Sequence, residues 1–327
     1  MGSLTGKRVL VTGASSGVGL ATADRLAREG AALVLIARGE TALAEAAERA
    51  RRHGAVAHAV AADLADHEAT SAAVERAIVL LGGLDAVVSN AGAVAFGHFL
   101  EVAPADFDRT VAVTFGGAVN VCRAALPALR ESRGTIVAVS SMMARMPLPA
   151  FSSYAAAKHA LRGFLNTLSV EEREQRTGVR IAMIDPGPLD TPIYGRATSA
   201  TGRRPRRLHD AYHPDEIAKA VVGALRRPRR ERVVGGQSKL TAWHYLAVPS
   251  AGERVLVLVD RWYRTGTEPA TSPGSLWTGN DRARTGDGHP VRRSGDVAAF
   301  MRHLLAAGRI ALADRKRLLH PVPEERS

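Results

Sequence analysis

Residues 7–19 read KRVLVTGASSGVG. A short apolar run rich in β-branched residues passes directly into a glycine-rich turn, and a helical pattern follows over residues 17–28. Glycines at 13, 17 and 19 let the backbone turn tightly and approach a phosphate closely. The N-terminus of the helix that follows favours negative charge there. Strand, glycine loop and helix start in this order predict the opening of a βαβ unit that binds a dinucleotide pyrophosphate. Gly13, Ser15, Ser16, Gly17, Val18 and Gly19 are its candidate contacts. The spacing is TGxxxGxG, not the more common GxGxxG.

Downstream the same rhythm repeats. Short apolar strands are expected at 33–37, 56–61, 85–89, 134–140 and 179–184. Helical patterns fill the gaps at 40–53, 67–81, 104–130 and 153–176. Strands apolar on both faces, alternating with helices, predict a parallel sheet covered on two sides. With right-handed crossovers this becomes an α/β, Rossmann-type doubly wound sheet in three layers. A further helix at 213–227 opens on HPDE, and 232–234 completes the sheet. The expected organisation is a dinucleotide-binding domain over 1–235 and a C-terminal extension over 236–327.

A second stretch, residues 141–158, reads SMMARMPLPAFSSYAAAK. Tyr154 and Lys158 stand four apart, which on a helix puts a phenol and an ammonium on one face, a turn apart. A fixed cation beside a phenol favours the phenolate and draws its pKa toward the working range. Ser141 could hold a carbonyl oxygen at the same point.

Together these motifs resemble the short-chain dehydrogenase/reductase family, in its TGxxxGxG and YxxxK branch, over about residues 5–235. The resemblance implies hydride transfer between a nicotinamide and an alcohol or carbonyl carbon, with Tyr154 as general acid/base and Ser141 on the substrate oxygen. Lys158 would bond the ribose hydroxyls. It also implies cofactor roles for Asp63 and Leu64, for Asn90-Ala91-Gly92, and for Pro186, Gly187 and Thr191. One position departs from the pattern: the family's asparagine in the helix after the fourth strand is Thr114 here. In the family that asparagine opens the helix and holds a proton-relay water, which Thr114 could do only through its hydroxyl. Asn120, six residues on, falls on another face.

The end of the second strand, LVLIARG, lacks the acid that takes a ribose 2′-hydroxyl. Arg38 offers a guanidinium suited to a 2′-phosphate, so NADP(H) is expected in preference to NAD(H). Met142, Met143, Met146 and Phe151 would line the substrate pocket or pack the core. Residues 192–212 read as a loop over it, carrying Arg196, Arg203, Arg204, Arg206 and Arg207.

The chain has 327 residues, 46% hydrophobic and 23% charged, with a net charge of +12. Residues 1–195 carry 19 basic and 19 acidic side chains, so the whole excess lies in the last 132 residues. Peripheral membrane contact through that basic third is one reading of it; nucleic acid is not expected, because no basic–aromatic interleaving appears. A single cysteine, Cys122, excludes an internal disulfide and suits a reducing compartment. No metal site is expected. A cytoplasmic enzyme acting on a small carbonyl or alcohol, paired into a homo-oligomer through helices 104–130 and 153–176, is the expectation. The rivals are an NADP-binding sensor or scaffold with weak or no catalysis, and a binder of membrane or nucleic acid through the basic surface.

Overall fold

The computed structural model describes residues 4–202, 211–235, 245–250, 252–254, 256–257, 274–279 and 281–286. The expected amphipathic segment at 296–319 and Arg203, Arg204, Arg206 and Arg207 lie outside the described residues.

The chain runs β1 (Arg8–Thr12), α1 (Gly17–Arg28), β2 (Ala32–Ala37), α2 (Glu40–Arg52), β3 (Ala57–Ala61), α3 (His67–Leu81) and β4 (Ala86–Ser89). It continues through β5 (Ala95–Phe96), α4 (Pro104–Val111), a π-helical turn (Ala112–Gly116), α5 (Gly117–Ser132), β6 (Thr135–Val139) and a 3₁₀ turn (Met142–Ala144). Then come α6 (Ser152–Glu174), β7 (Arg180–Pro186), α7 (Pro192–Gly195), β8 (Thr198–Ser199), α8 (Pro214–Arg226) and β9 (Glu231–Val234).

Seven strands form one parallel sheet in the order β3-β2-β1-β4-β6-β7-β9. The order reverses between β1 and β4, and a crevice opens there beyond the strand C-termini, where doubly wound folds bind ligands. Each face buries its own cluster. Leu20, Leu26, Leu43 and Val221 meet Val9, Leu33 and Val137 on one side; Val74, Val121, Leu129 and Leu165 meet Leu10, Val34 and Ile136 on the other. Helices on both faces complete the three layers expected.

Two features differ from the expectation. The helix at 104–130 is interrupted by the π turn at Ala112–Gly116, although the chain stays helical on both sides. As one rod, Pro104–Ser132 is long and apolar enough to cross a membrane, but Val121, Cys122, Ala125 and Leu129 are buried against the sheet. The loop expected over 192–212 is partly regular. Pro192–Gly195 is a helical turn, and Thr198–Ser199 pairs in parallel with Ala95–Phe96.

Candidate active site

At the end of β1 the chain enters the left-handed region at Gly13, φ 63°. A Cβ there would come within 2.8 Å of the Ala91 Cα, and one at Gly19 would strike the Gly13 carbonyl. Both positions therefore need glycine for close packing as well as for the turn. Thr12 and Asn90 lace this loop to the end of β4. The Thr12 hydroxyl accepts from the Asn90 and Ala91 amides at 3.0 and 3.2 Å. The Asn90 side-chain amide donates to the Thr12 and Gly13 carbonyls at 3.2 Å each.

The loop borders a cleft of about 1230 Å³, open mouth included. Of the residues singled out from the sequence, Gly13, Ser15, Ser16, Gly17, Val18, Arg38, Asp63, Leu64, Asn90, Ala91, Gly92, Ser141, Tyr154, Lys158, Pro186, Gly187 and Thr191 all line it. Gly19 and Thr114 do not; they sit behind the wall. Tyr194 and Arg196, from the loop expected over the pocket, line it as well, and so do Ser275 and Gly279, to which the sequence reading assigned no place there. Tyr194 stands three residues past Thr191, which could have flagged it. Ser275 and Gly279 come from a stretch with no periodicity at all.

Ser141, Tyr154 and Lys158 gather at one end. Ser141 caps the 3₁₀ turn, its hydroxyl accepting from the Met143 amide at 3.1 Å. Tyr154 lies in the first turn of α6, and the Lys158 Nζ sits 5.6 Å from the centre of its ring. Lys158 is 3% exposed and donates to the Val139 carbonyl at 2.9 Å. Burial lowers its pKa to about 8, against the opposing pull of the Asp185 carboxylate. Burial also pushes the Tyr154 phenol above its ordinary value, and Tyr194 adds to that; a hydrogen bond with Ser141 works the other way. The expected pull of Lys158 toward phenolate is thus not the prevailing effect here. Loss of solvent around the phenol outweighs it.

Thr114 lies inside the π turn, fully buried, and accepts from the Ala93 amide at 3.1 Å while donating to its carbonyl at 3.2 Å. The local opening that the family's asparagine provides is therefore present, but the threonine hydroxyl already bonds Ala93 instead of being held for a water. Asn120 is turned elsewhere, donating to the Leu64 carbonyl at 3.0 Å.

Beneath the catalytic end runs an ion network. Arg145, just after the 3₁₀ turn, reaches Asp185 of β7 at 2.8 Å and also Glu231 of β9; Arg162 of α6 reaches Glu231 at 3.1 Å. Met142 and Met146 pack with Leu256 and Tyr245 from the extension. Met143 joins Phe96, Phe151 and Tyr194 beside Tyr154.

At the opposite end the extension crosses the cleft. The Arg38 guanidinium donates to the Ser275 and Leu276 carbonyls at 2.5 and 2.7 Å. Asp63 pairs with Arg109, which stacks on Trp277 with its guanidinium carbon 5.3 Å from the ring centre. The Gly17 amide, at the start of α1, donates to the Arg284 carbonyl at 2.8 Å. Among the described residues no cluster of His, Cys, Asp and Glu is arranged to hold a metal.

A parallel doubly wound sheet, a glycine loop at its switch point and a serine, tyrosine and lysine facing it define a dinucleotide-dependent oxidoreductase. Residues 7–201 match the short chain dehydrogenase family, and the chain belongs to it. An oxidoreductase of Bacillus subtilis, YxnA, described as uncharacterized, is 33% identical over 251 residues, 76% of this chain and 70% of that one. An alcohol dehydrogenase from the archaeon Thermococcus sibiricus, solved with 5-hydroxy-NADP, superposes with a TM-score of 0.63 at 28% identity. That match covers 70% of this chain and 95% of that one. A metagenomic short-chain oxidoreductase solved with NADP gives 0.61 at 28% identity, covering 71% and 98%.

Proposed function

We propose that this oxidoreductase uses NADP(H) to interconvert an alcohol and a ketone or aldehyde, with Tyr154 as general acid/base. The observation that carries the reading is the convergence of Ser141, Tyr154 and Lys158 at one end of a cleft whose other end holds Arg38. The cleft's residues fit a dinucleotide: Gly13, Ser15, Ser16, Gly17 and Val18 line it at the start of α1, whose N-terminus favours a phosphate. The bound dinucleotide supplies the hydride to the substrate carbon, or accepts it in the reverse direction.

The chain's own residues handle the oxygen and its proton. In reduction Ser141 donates a hydrogen bond to the carbonyl oxygen, and Tyr154 gives that oxygen its proton. Lys158, one turn along α6, stabilises the phenolate left behind. A phenol whose pKa is raised by burial suits the reductive direction, because it stays protonated until the oxygen takes the proton. Ile193 and Tyr194, which line the cleft and pack with Tyr154, favour a substrate with an apolar body. Similarity to two structures solved with NADP or its derivative supports the choice of dinucleotide.

The purified chain should oxidise NADPH with at least one of a panel of ketones and aldehydes. Tyr154→Phe should lower kcat by about 10²–10⁴-fold, the usual worth of a positioned acid, while NADPH affinity stays within about twofold. Turnover by Tyr154→Phe at the parent rate would overturn the assignment.

A further inference from the structure

The segments 274–279 and 281–286 meet the core at points that share one chemistry. Each presents a backbone carbonyl to a donor that a bound dinucleotide would need. The Ser275 and Leu276 carbonyls take the Arg38 guanidinium, the group matched to a 2′-phosphate. The Arg284 carbonyl takes the Gly17 amide, one of the donors that the α1 N-terminus turns toward a pyrophosphate. Carbonyl and phosphate oxygens are both acceptors and compete for these donors; at Arg38, two carbonyl dipoles would also repel a phosphate.

The contacts that seat these segments are specific. Leu276, 1% exposed, fills an apolar socket of Ala93, Ala95, Val102 and Val113. The Trp277 indole donates to Asp106 at 2.7 Å. The Ser275 amide donates to the Arg196 carbonyl and the Ala283 amide to the Glu45 carboxylate, at 2.8 and 2.9 Å. Gly279 lies so close on Gly39 that a Cβ there would come within 2.5 Å of its backbone.

We propose that segments 274–279 and 281–286 form an autoinhibitory strap, which occupies Arg38 and Gly17 in place of the dinucleotide phosphates and must lift for NADP(H) to dock. The inference rests on the NADP reading above. When a site is competent only part of the time, its apparent affinity is the intrinsic affinity multiplied by the open fraction. A strap closed about nine-tenths of the time or more weakens binding about tenfold or more.

Two full-length variants loosen the strap without touching the cleft's own groups. Leu276→Asp puts a charge into the apolar socket, and Trp277→Ala removes the bond to Asp106 and the stacking on Arg109. NADPH affinity is measured by calorimetry for the parent and both variants, with melting temperature as a check on folding. Leu276→Asp should bind NADPH about tenfold or more tighter than the parent, and Trp277→Ala should shift the same way by less. In the parent, NADPH should speed amide hydrogen exchange across 274–286. A gain in affinity cannot come from a damaged fold, so a misfolded Leu276→Asp leaves the decision to Trp277→Ala and the exchange data. Parent-like or weaker binding by folded Trp277→Ala, with exchange across 274–286 unchanged by NADPH, would overturn the strap while leaving the NADP reading standing. Failure of parent and variants alike to bind NADPH would instead remove the reading on which it rests.

Discussion

The two ends of the cleft are held in different ways. The end with Ser141, Tyr154 and Lys158 is built from α6, β6 and the 3₁₀ turn, and Arg145, Asp185, Glu231 and Arg162 tie it together from below. The end with Arg38 and Gly17 is closed by carbonyls from a distant part of the chain. Side-chain ion pairs locked between regular elements fix geometry, as chemistry on a substrate oxygen requires. Backbone acceptors laid over the proposed phosphate site can be exchanged for other acceptors. The contrast separates a reaction centre built once from a binding end that stays negotiable.

Breaking the ion network should have the largest effect. Arg145→Met leaves Asp185, 0% exposed, without its ion partner. Burial already holds the Asp185 carboxyl above its ordinary pKa in spite of Arg145. Removing one partner of a buried pair costs roughly 3–5 kcal/mol. Denaturant titration at pH 7 should show a loss of that order, shrinking at acid pH where Asp185 can take up a proton. The exposed pair Arg51–Glu48 serves as the control, since Arg51→Met should change stability by less than about 1 kcal/mol. Equal losses at the two positions would erase the proposed rigidity of the catalytic end.

Next in size comes the opposite end. Arg38→Asp removes the guanidinium offered to a 2′-phosphate and leaves an acid suited to a ribose hydroxyl. It also takes away the donor that the Ser275 and Leu276 carbonyls share. Hydrogen bonds to a charged group contribute about 1.5–3 kcal/mol, so NADPH affinity should fall by about 10–100-fold. NADH affinity should hold or improve, because the strap loses two of its bonds to the core. Equal losses for both dinucleotides would refute the role given to Arg38.

What could be read in advance follows the same division. The strands of the large sheet announce themselves as apolar, β-branched runs, and TGxxxGxG with YxxxK places both ends of the cleft. The π turn at Ala112–Gly116 is hidden because its residues carry an ordinary helical pattern, and a changed hydrogen-bond step leaves no trace in composition. Two-residue strands such as Ala95–Phe96 and Thr198–Ser199 are too short to show a period. The strap is hidden for a deeper reason. Its bonds to Arg38 and Gly17 use main-chain carbonyls, which every residue has. Arg38 could be singled out as a candidate for a 2′-phosphate, whereas its carbonyl partners in this structure could not.

The smallest predicted effect tests whether the two ends titrate apart. Burial brings Lys158 to about 8, below its ordinary 10.5, so the cation that steadies the Tyr154 phenolate is lost as pH rises through about 8. For carbonyl reduction, kcat/KM reports the free enzyme and should fall above that pH, by about tenfold one unit higher. Between about 8 and 10.5 an unfolded chain keeps the lysine proton that the folded one has released. Stability should therefore rise with pH across that window, even as activity declines. Arg38 behaves differently, because a guanidinium stays charged throughout this range although burial lowers its pKa. The preference for NADPH over NADH should accordingly stay level while kcat/KM drops. If selectivity declined along with kcat/KM, one titrating group would be serving both ends, and the division between a fixed reaction centre and an exchangeable phosphate site would fail.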